Sequence, residues 1–189
     1  TQIFASGTLV ISSQVRGSEC CDPGSMEAIQ SQLDALKRLN LPATFSLRYD
    51  ALADSKVINA VSSDQFEKAA FLEITPSLAH DAGVAYRGPI ERWYKASNAY
   101  LVGYTPADRL KLIDTYMRRY KEVYGSYPQS TLAWMIDAPS LEYLSKNYGI
   151  STHQLTREQW GTDSYTLYGG PVNVPYYPSR NWPLIPASA

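Results

Sequence analysis

The sequence lacks an excess of charge of either sign. Among 189 residues, 17 Lys and Arg stand against 18 Asp and Glu, so the formal net charge is -1. A chain without a basic excess has no broad positive field to gather phosphates, which argues against a nucleic-acid partner. No apolar run approaches the roughly 20 residues that cross a bilayer, so no membrane span is predicted.

Cysteine and histidine are too few for an ordinary metal site. Cys20 and Cys21 are adjacent, where a mutual disulfide would close a strained ring, and the two histidines, His80 and His153, are far apart in sequence. A bound zinc ion takes three or four Cys, His or carboxylate ligands. No metal and no other cofactor is therefore predicted.

Phenylalanine is also scarce, and most aromatic rings carry a polar group. The chain has 15 Tyr and 4 Trp but only 4 Phe. Such rings suit a ligand that is half apolar and half polar, such as the face of a sugar, so a carbohydrate is the predicted partner. The plain alternative, which we favour for any single tyrosine, is a core-edge position with the hydroxyl in water.

Short β-prone runs alternate with amphipathic segments along the chain. Strands are predicted at residues 8–12, 41–47, 70–74 and 132–136 and from residue 150, and helices at residues 26–39, 106–124 and 138–148. This alternation predicts an α/β fold, a parallel sheet with helical cover. Because only five or six strands are visible, we expect a (β/α) barrel that is distorted or incomplete, or a piece of a longer protein.

One domain is predicted over residues 1–189, because no internal repeat or low-complexity tract interrupts the pattern. The tail at residues 169–189 differs in composition, since it holds five of the 12 prolines. Proline disfavours helix interiors, so this tail is predicted to be an extended segment that lies across the body.

Polar and aromatic side chains follow the predicted strands. In barrels and open parallel sheets, ligands gather at the carboxyl ends of the strands, because the loops there surround one mouth. We therefore expect a substrate-binding set near this mouth: Arg16, Arg48, Tyr49, His80, Trp134 and Trp160. Further stacking surface is expected from Trp93, Tyr176 and Tyr177.

Four carboxylates are the candidate catalytic residues: Glu73, Asp50, Asp137 and Asp163. Crowded carboxylates repel, so at least one should have a raised pKa or be neutralised by a cation, for which Arg16 and Arg48 are available. Two carboxyl groups in unequal environments can divide the acid and base roles of glycoside or ester hydrolysis.

Glu73 is the leading candidate among them, because Leu72 and Ile74 flank it and an apolar setting favours the protonated form. An ion pair of Glu73 or Asp50 with a neighbouring arginine is an equal alternative. Asp137 precedes Ala-Pro and is expected, on its own, to cap the helix that begins there.

Three segments resemble polysaccharide deacetylases of the NodB-homology type: LPATFSLRYDAL (residues 41–52), FLEITPSLAH (residues 71–80) and GSYPQSTLAWMIDAPSLEYLSKNYGI (residues 125–150). The order and spacing of the elements are similar to that family over residues 8–165. The resemblance implies a barrel of the glycoside hydrolase/deacetylase type, a divalent metal such as zinc, action on a glycan or its acetyl groups, and a secreted or cell-surface location.

The residues that this resemblance assigns to catalysis are mostly different here. Ser12-Ser13-Gln14 stands where the family has two aspartates, and of the two metal-binding histidines only His80 remains. The arginine expected near Trp134–Asp137 is absent, while Asp163 lies near a position that orients a catalytic histidine. The ligands of the family's metal are therefore expected to be lost.

Two hypotheses follow. One is a carbohydrate-active hydrolase that uses carboxylate acid and base catalysis without metal. The other is a catalytically inactive relative that binds carbohydrate or serves a structural role. Whether the chain is an enzyme stays open at this point.

Overall fold

A parallel five-stranded sheet organises the part of the chain that the computed structural model describes, namely residues 9–19, 25–92, 95–155, 171 and 174–188. The strands are β1 Ser12–Val15, β2 Ala43–Leu47, β3 Phe66–Phe71, β4 Ser130–Ala133 and β5 Thr152–Leu155. The helices are α1 Ser25–Leu39, α2 Ser55–Ala60, α3 Pro76–Asp81, α4 Ala96–Ala99, α5 Pro106–Tyr124 and α6 Ala138–Tyr148. Three 3-10 turns lie at Tyr49–Ala53, Ile90–Arg92 and Leu101–Gly103.

The strands lie in the sheet in the order in which they occur in the chain, and every neighbouring pair is parallel. The sheet is strongly curled. This is shown by a hydrogen bond between its two edge strands, in which Ser12 Oγ on β1 donates to Gln154 Oε1 on β5 at 2.6 Å. The fold is thus a curled half-barrel with surrounding helices. The predicted α/β class and the distorted (β/α) barrel are confirmed.

The outer face of the sheet forms the apolar core. Phe45 and Leu47 of β2 are fully buried, and helices α1 and α5 contribute Leu33 and Tyr116 to the same core. The Tyr116 hydroxyl donates to the Leu47 carbonyl. This tyrosine is therefore a core residue whose hydroxyl is bound by backbone, and its ring is not available to a ligand.

The inner face of the sheet carries both polar side chains and buried apolar ones, the latter being Ala69, Phe71 and Leu132. Glu67 of β3 accepts from Thr44 Oγ1 of β2 at 2.8 Å and from Ser130 Oγ of β4 at 2.6 Å. Side chains alternate along a strand, so Ser46 and then Arg48 follow Thr44 on this inner face. The polar row leads directly to the carboxyl ends of the strands.

Helix ends follow the predicted signals. Thr105 Oγ1 accepts from the Asp108 backbone N–H at 3.2 Å at the start of α5, and Asp137 Oδ1 accepts from the Ser140 N–H at 3.0 Å at the start of α6. Gly125 ends α5 in a left-handed conformation with φ 78°. These two helices begin and end as predicted, because the capping residues encode both boundaries.

Strand bounds differ from the prediction. β1 is Ser12–Val15 and not residues 8–12, and Leu9 and Val10 of the predicted run are 78% and 77% exposed. β3 begins earlier than predicted, at Phe66. Both strands carry polar side chains on the inner face of the half-barrel, so a search for continuous apolar runs misplaces them.

The described part of the tail turns back on itself. Pro178 and Pro186 form an isolated antiparallel bridge, and the Ser179 N–H donates to the Ile185 carbonyl at 2.7 Å. The predicted course of residues 169–189 across the body stays a prediction. Among the described residues, no helix combines the length and the apolar content that crossing a bilayer requires.

His153 gives the fold a specific pH dependence. Its Nδ1 lies 2.5 Å from Thr131 Oγ1, and burial lowers its pKa to about 4. Between pH ~6.5 and this value the unfolded chain binds a proton that the folded chain does not, so stability falls as the pH falls. We expect a loss of up to about 3 kcal/mol across this window, measured by urea unfolding at a series of pH values.

The matched control uses the other histidine. His153→Gln should flatten the dependence of the urea midpoint between pH 6.5 and 4, whereas His80→Gln, whose parent side chain is 88% exposed, should keep it. Equal slopes in both variants would contradict the assignment to His153.

Candidate functional site

Arg48 lies at the centre of the mouth, directly after β2. Its side chain is 1% exposed. Nε donates to Asp50 Oδ1 at 2.7 Å and Nη2 to Asp50 Oδ2 at 2.6 Å, while Nη1 donates to Glu73 Oε1 at 2.6 Å. One planar guanidinium thus binds Asp50 with two hydrogen bonds and Glu73 with a third.

Arg16 binds Glu73 from the other side. Its Nε donates to Oε1 at 3.0 Å and its Nη2 to Oε2 at 2.8 Å. The four residues form an alternating series, Asp50–Arg48–Glu73–Arg16, which we call the arginine–carboxylate network. Within the network two cations balance two anions, and Arg16, at 23% side-chain exposure, is its most accessible member.

Backbone geometry brings these side chains together. The Arg48 N–H donates to the Val15 carbonyl at 2.9 Å, which continues the β1–β2 ladder and places Arg48 beside Arg16. Glu73 extends β3 and forms an antiparallel bridge with Tyr100. Three neighbouring strand ends therefore supply the network, as the rule for parallel sheets predicts.

Gly17 allows the loop after β1 to approach Asp50. A Cβ at this glycine would lie 2.6 Å from Asp50 Cγ, closer than real contacts allow. The approach lets the Glu19 backbone N–H donate to Asp50 Oδ2 at 3.0 Å, while the Ala51 N–H donates to Oδ1 at 3.1 Å. A substitution at Gly17 would separate the loop from the network.

Electrostatics keep Asp50 and Arg48 charged. Burial alone would raise the pKa of Asp50, but the hydrogen bonds and charge of Arg48, with the backbone N–H of Glu19, outweigh it and lower that pKa. Burial alone would lower the pKa of Arg48, and the hydrogen bonds and charges of Asp50 and Glu73 raise it instead. This pair is therefore ionised at neutral pH.

All four carboxylate oxygens of Asp50 and Glu73 accept hydrogen bonds from arginine or from backbone N–H groups. The structure places Glu73 between two guanidinium groups, where sequence analysis had expected an apolar setting. This arrangement corresponds to the ion-pair alternative for both residues. Their catalytic role stays a prediction.

An open cleft of about 720 Å³ lies beside the network and brings Asp50, Tyr49 and His80 together. The Tyr49 hydroxyl donates to Asp81 Oδ2 at 2.8 Å, and His80 Nδ1 lies 3.0 Å from Asp81 Oδ1. Burial and the hydrogen bond to Asp81 raise the pKa of the Tyr49 hydroxyl. Two predicted substrate-binding residues thus share one wall of the cleft.

Asp137 and Trp134 follow β4. Asp137 caps α6, as its position before Ala-Pro predicted. It also forms an ion pair with Arg109, whose Nη1 lies 3.1 Å from Asp137 Oδ2. Trp134 lies against the network, with its ring centroid 5.9 Å from the Arg16 guanidinium carbon. The other predicted residues after β5, Trp160 and Asp163, and likewise Trp93, lie outside the described residues.

The described residues do not fit a metal ion. Within the ranges given above, no group of three or more His, Cys, Asp or Glu side chains is placed to hold one. His80, the histidine that the resemblance would place at a metal, is exposed and faces Asp81. Because Cys20, Cys21 and Asp163 lie outside those ranges, the predicted loss of the metal ligands stays a prediction.

Tyr86 is a residue near the network that the sequence did not single out. Its hydroxyl is buried without a hydrogen-bond partner, and burial together with the negative charge of Glu73 raises its pKa. It lies in an irregular segment between α3 and α4, where no periodic pattern marks one side chain above another. Whether a tyrosine hydroxyl is buried and lacks a hydrogen-bond partner can be seen only in the folded structure.

The comparisons with known proteins bear on the fold. One solved structure, described as a "putative glycoside hydrolase/deacetylase" from Parabacteroides distasonis, superposes with a TM-score of 0.54 at 15% sequence identity. The match covers 95% of this chain and 42% of that protein, so this chain spans less than half the length of its structural relative. No family model and no curated protein sequence matches the chain.

Loss of Arg48 should destabilise the protein strongly. Arg48→Met leaves Asp50 buried without its guanidinium, and removing one partner of a buried ion pair costs about 3–5 kcal/mol. Urea unfolding measures this loss, and a second change, Asp50→Asn, should recover part of it because the uncompensated charge is removed.

An exposed ion pair provides the control. Lys146 Nζ lies 2.5 Å from Glu142 Oε1 on the surface of α6. Lys146→Met should leave the urea midpoint unchanged within error, since water screens such pairs. A similar midpoint for Arg48→Met and the parent protein would show that the network does not stabilise the fold.

Proposed function

We propose that this chain is a carbohydrate-binding relative of the deacetylase-type half-barrel, in which Glu73 and Asp50 support the mouth and do not act as acid and base. One observation carries the proposal: both oxygens of each carboxylate accept from arginine or backbone donors. A general acid must hold a proton, and a general base must offer a lone pair to the substrate.

A sugar is the ligand that these surroundings suit. The partly buried Trp134 borders the network, and Tyr49 and His80 line the adjacent cleft. Sugars combine apolar ring faces with hydroxyl groups, so aromatic rings beside hydrogen-bonding groups match them. The structural neighbour, described as a glycoside hydrolase/deacetylase, supports the same ligand class by analogy of fold.

A second candidate is a carbohydrate-active hydrolase that acts on a glycan or on its N- or O-acetyl groups. The description of the structural neighbour as a glycoside hydrolase/deacetylase favours it. Glu73 would then work with Asp50, Asp137 or Asp163 across a separation of about 5 to 9.5 Å. This candidate requires an arginine to release a carboxylate oxygen when substrate binds.

The two candidates differ in turnover. We expect the purified protein to bind neutral oligosaccharides in calorimetric titration and to release neither acetate nor new reducing ends from acetylated or plain glycans. Glu73→Gln, checked for folding by circular dichroism, should retain glycan affinity within about threefold, because glutamine keeps the shape and an acceptor for arginine.

Turnover by the parent protein that Glu73→Gln abolishes would overturn the binding proposal in favour of the hydrolase. Absence of any glycan binding by the parent protein would reject both candidates. Glu142→Gln serves as the comparison, since its parent carboxylate pairs with Lys146 on the exposed surface of α6.

A further inference from the structure

The open cleft beside the network lies between α3 and α5. Residues of these two helices, of the 3-10 turn at Tyr49–Ala53 and of the loop after β1 line it. Its volume of about 720 Å³ falls within the range of about 300–1,000 Å³ that small-molecule sites occupy. A sugar unit therefore has room in the cleft, and the polar atoms of the wall decide what it can bind there.

Asp81, the last residue of α3, uses both carboxylate oxygens within this wall. The Tyr49 hydroxyl donates to Asp81 Oδ2 at 2.8 Å, and His80 Nδ1 lies 3.0 Å from Asp81 Oδ1. All three residues line the cleft. We call them the Tyr49–Asp81–His80 array, since two direct contacts join them into one group beside an accessible space.

The charge of Asp81 determines the direction of both contacts. The hydrogen bonds from His80 and from Tyr49 lower the pKa of Asp81, so its carboxylate is ionised at neutral pH. An ionised carboxylate accepts hydrogen bonds and cannot donate them. His80 Nδ1 therefore carries the proton of the neutral ring, and the Tyr49 hydroxyl proton points at Asp81.

Two acceptor positions remain for a ligand. A neutral imidazole with its proton on Nδ1 keeps a lone pair on Nε2, and a tyrosine oxygen that donates its proton can still accept. Among the described residues, no group donates to His80 Nε2 or to Tyr49 Oη. The Tyr49 ring is held against Tyr116, with centroids 6.0 Å apart, while His80 is exposed and within reach of a ligand.

We propose that the array presents Tyr49 Oη and His80 Nε2 as hydrogen-bond acceptors to the hydroxyl groups of a neutral glycan in the cleft, with Asp81 orienting both. The inference rests on the carbohydrate-binding function proposed above and assigns a subsite to it. Asp81 is a positioning residue, because it acts on the ligand through its two neighbours.

The carboxylates of the cleft favour a neutral ligand over a charged one. Ion pairs or hydrogen bonds already engage the other lining carboxylates, those of Asp50, Glu122 and Glu19. The ammonium group of an amino sugar would have to displace one of their partners, whereas a hydroxyl group needs only the neutral acceptors of the array. The same carboxylates outnumber the guanidinium groups of the wall, Arg118 and Arg119, and would repel an acidic sugar.

A second tyrosine–aspartate pair provides a matched control. The Tyr143 hydroxyl of α6 donates to Asp114 Oδ1 of α5 at 2.8 Å, the same distance as between Tyr49 and Asp81. Neither Tyr143 nor Asp114 is among the residues that line the cleft. This pair therefore offers the same hydrogen bond without the ligand site.

Calorimetric titration with neutral chito-oligosaccharides tests the array. Tyr49→Phe should weaken binding about five- to tenfold, the loss of one hydrogen bond, whereas Tyr143→Phe should leave the affinity unchanged. Asp81→Ala should weaken binding about two- to tenfold, because the ligand must then order the His80 side chain itself. Asp114→Ala is its control and should bind as the parent protein does.

The imidazole nitrogen resonances in NMR spectra give a readout that a merely structural role of Asp81 would not move. The chain has two histidines, and at about pH 8 imidazole side chains are ordinarily neutral. We expect His80 to carry its proton on Nδ1, to lose this preference in Asp81→Ala, and to shift its Nε2 resonance when the glycan binds. His153, which contacts Thr131, should shift in neither case.

Thermal unfolding without ligand separates a loss of affinity from a loss of folding. Tyr49→Phe and Tyr143→Phe each remove one hydrogen bond and keep the ring, so each should lower the melting temperature by no more than about 4 °C. Should Tyr49→Phe fold poorly, Asp81→Ala still tests the array, since Asp81 lies at the exposed end of α3.

The outcomes separate this inference from the proposed function. If the parent protein binds a neutral glycan, and either Tyr49→Phe or Asp81→Ala binds it equally well or the His80 Nε2 resonance stays in place, the array is overturned while the proposed function stands. Tighter binding of glucosamine oligomers or of oligogalacturonate overturns the neutral ligand. If the parent protein binds none of these glycans, the proposed function is overturned and the array with it.

Discussion

The buried guanidinium of Arg48 is the interaction on which the mouth of the half-barrel depends. It holds Asp50 and Glu73, and Asp50 in turn accepts from the Glu19 backbone N–H in the loop after β1. One side chain thus connects three strand ends. Replacing all members of such a buried ion-pair group by apolar residues is often neutral for stability, whereas removing one member alone is costly. We therefore interpret the network as fixing which groups meet at the mouth.

The sequence predicts the order of elements well and their bounds less well. Helix α5 was predicted closely because Thr105 and Gly125 mark its ends by local chemistry, which neighbouring residues do not alter. Strand β1 was misplaced because its polar inner face resembles a loop, while the apolar Leu9 and Val10 before it are exposed. Strand bounds depend on partners that are distant in sequence.

The site, too, has features that the sequence predicts and features that depend on residues distant in sequence. That Arg48, Asp50 and Glu73 would gather could be predicted, because parallel strands deliver their carboxyl ends to one edge. The pairing of these groups could not be predicted, since two arginines and several carboxylates allow many combinations of ion pairs. Tyr86 could not be predicted for another reason: its segment has no periodic pattern, and the contact that holds the chain there is made by the next residue, Arg87, whose backbone N–H donates to the Tyr104 hydroxyl.

The hydrogen bond between Ser12 and Gln154 limits what the open side of the sheet can admit. Neighbouring strands lie about 4.8 Å apart, so a gap bridged by one serine and one glutamine side chain is about one strand wide. A complete eight-stranded cylinder would need three additional strands between these edges. Accommodating them would require the sheet to uncurl and this bond to break, so in the described residues this one side-chain contact sets the width of the open side of the half-barrel.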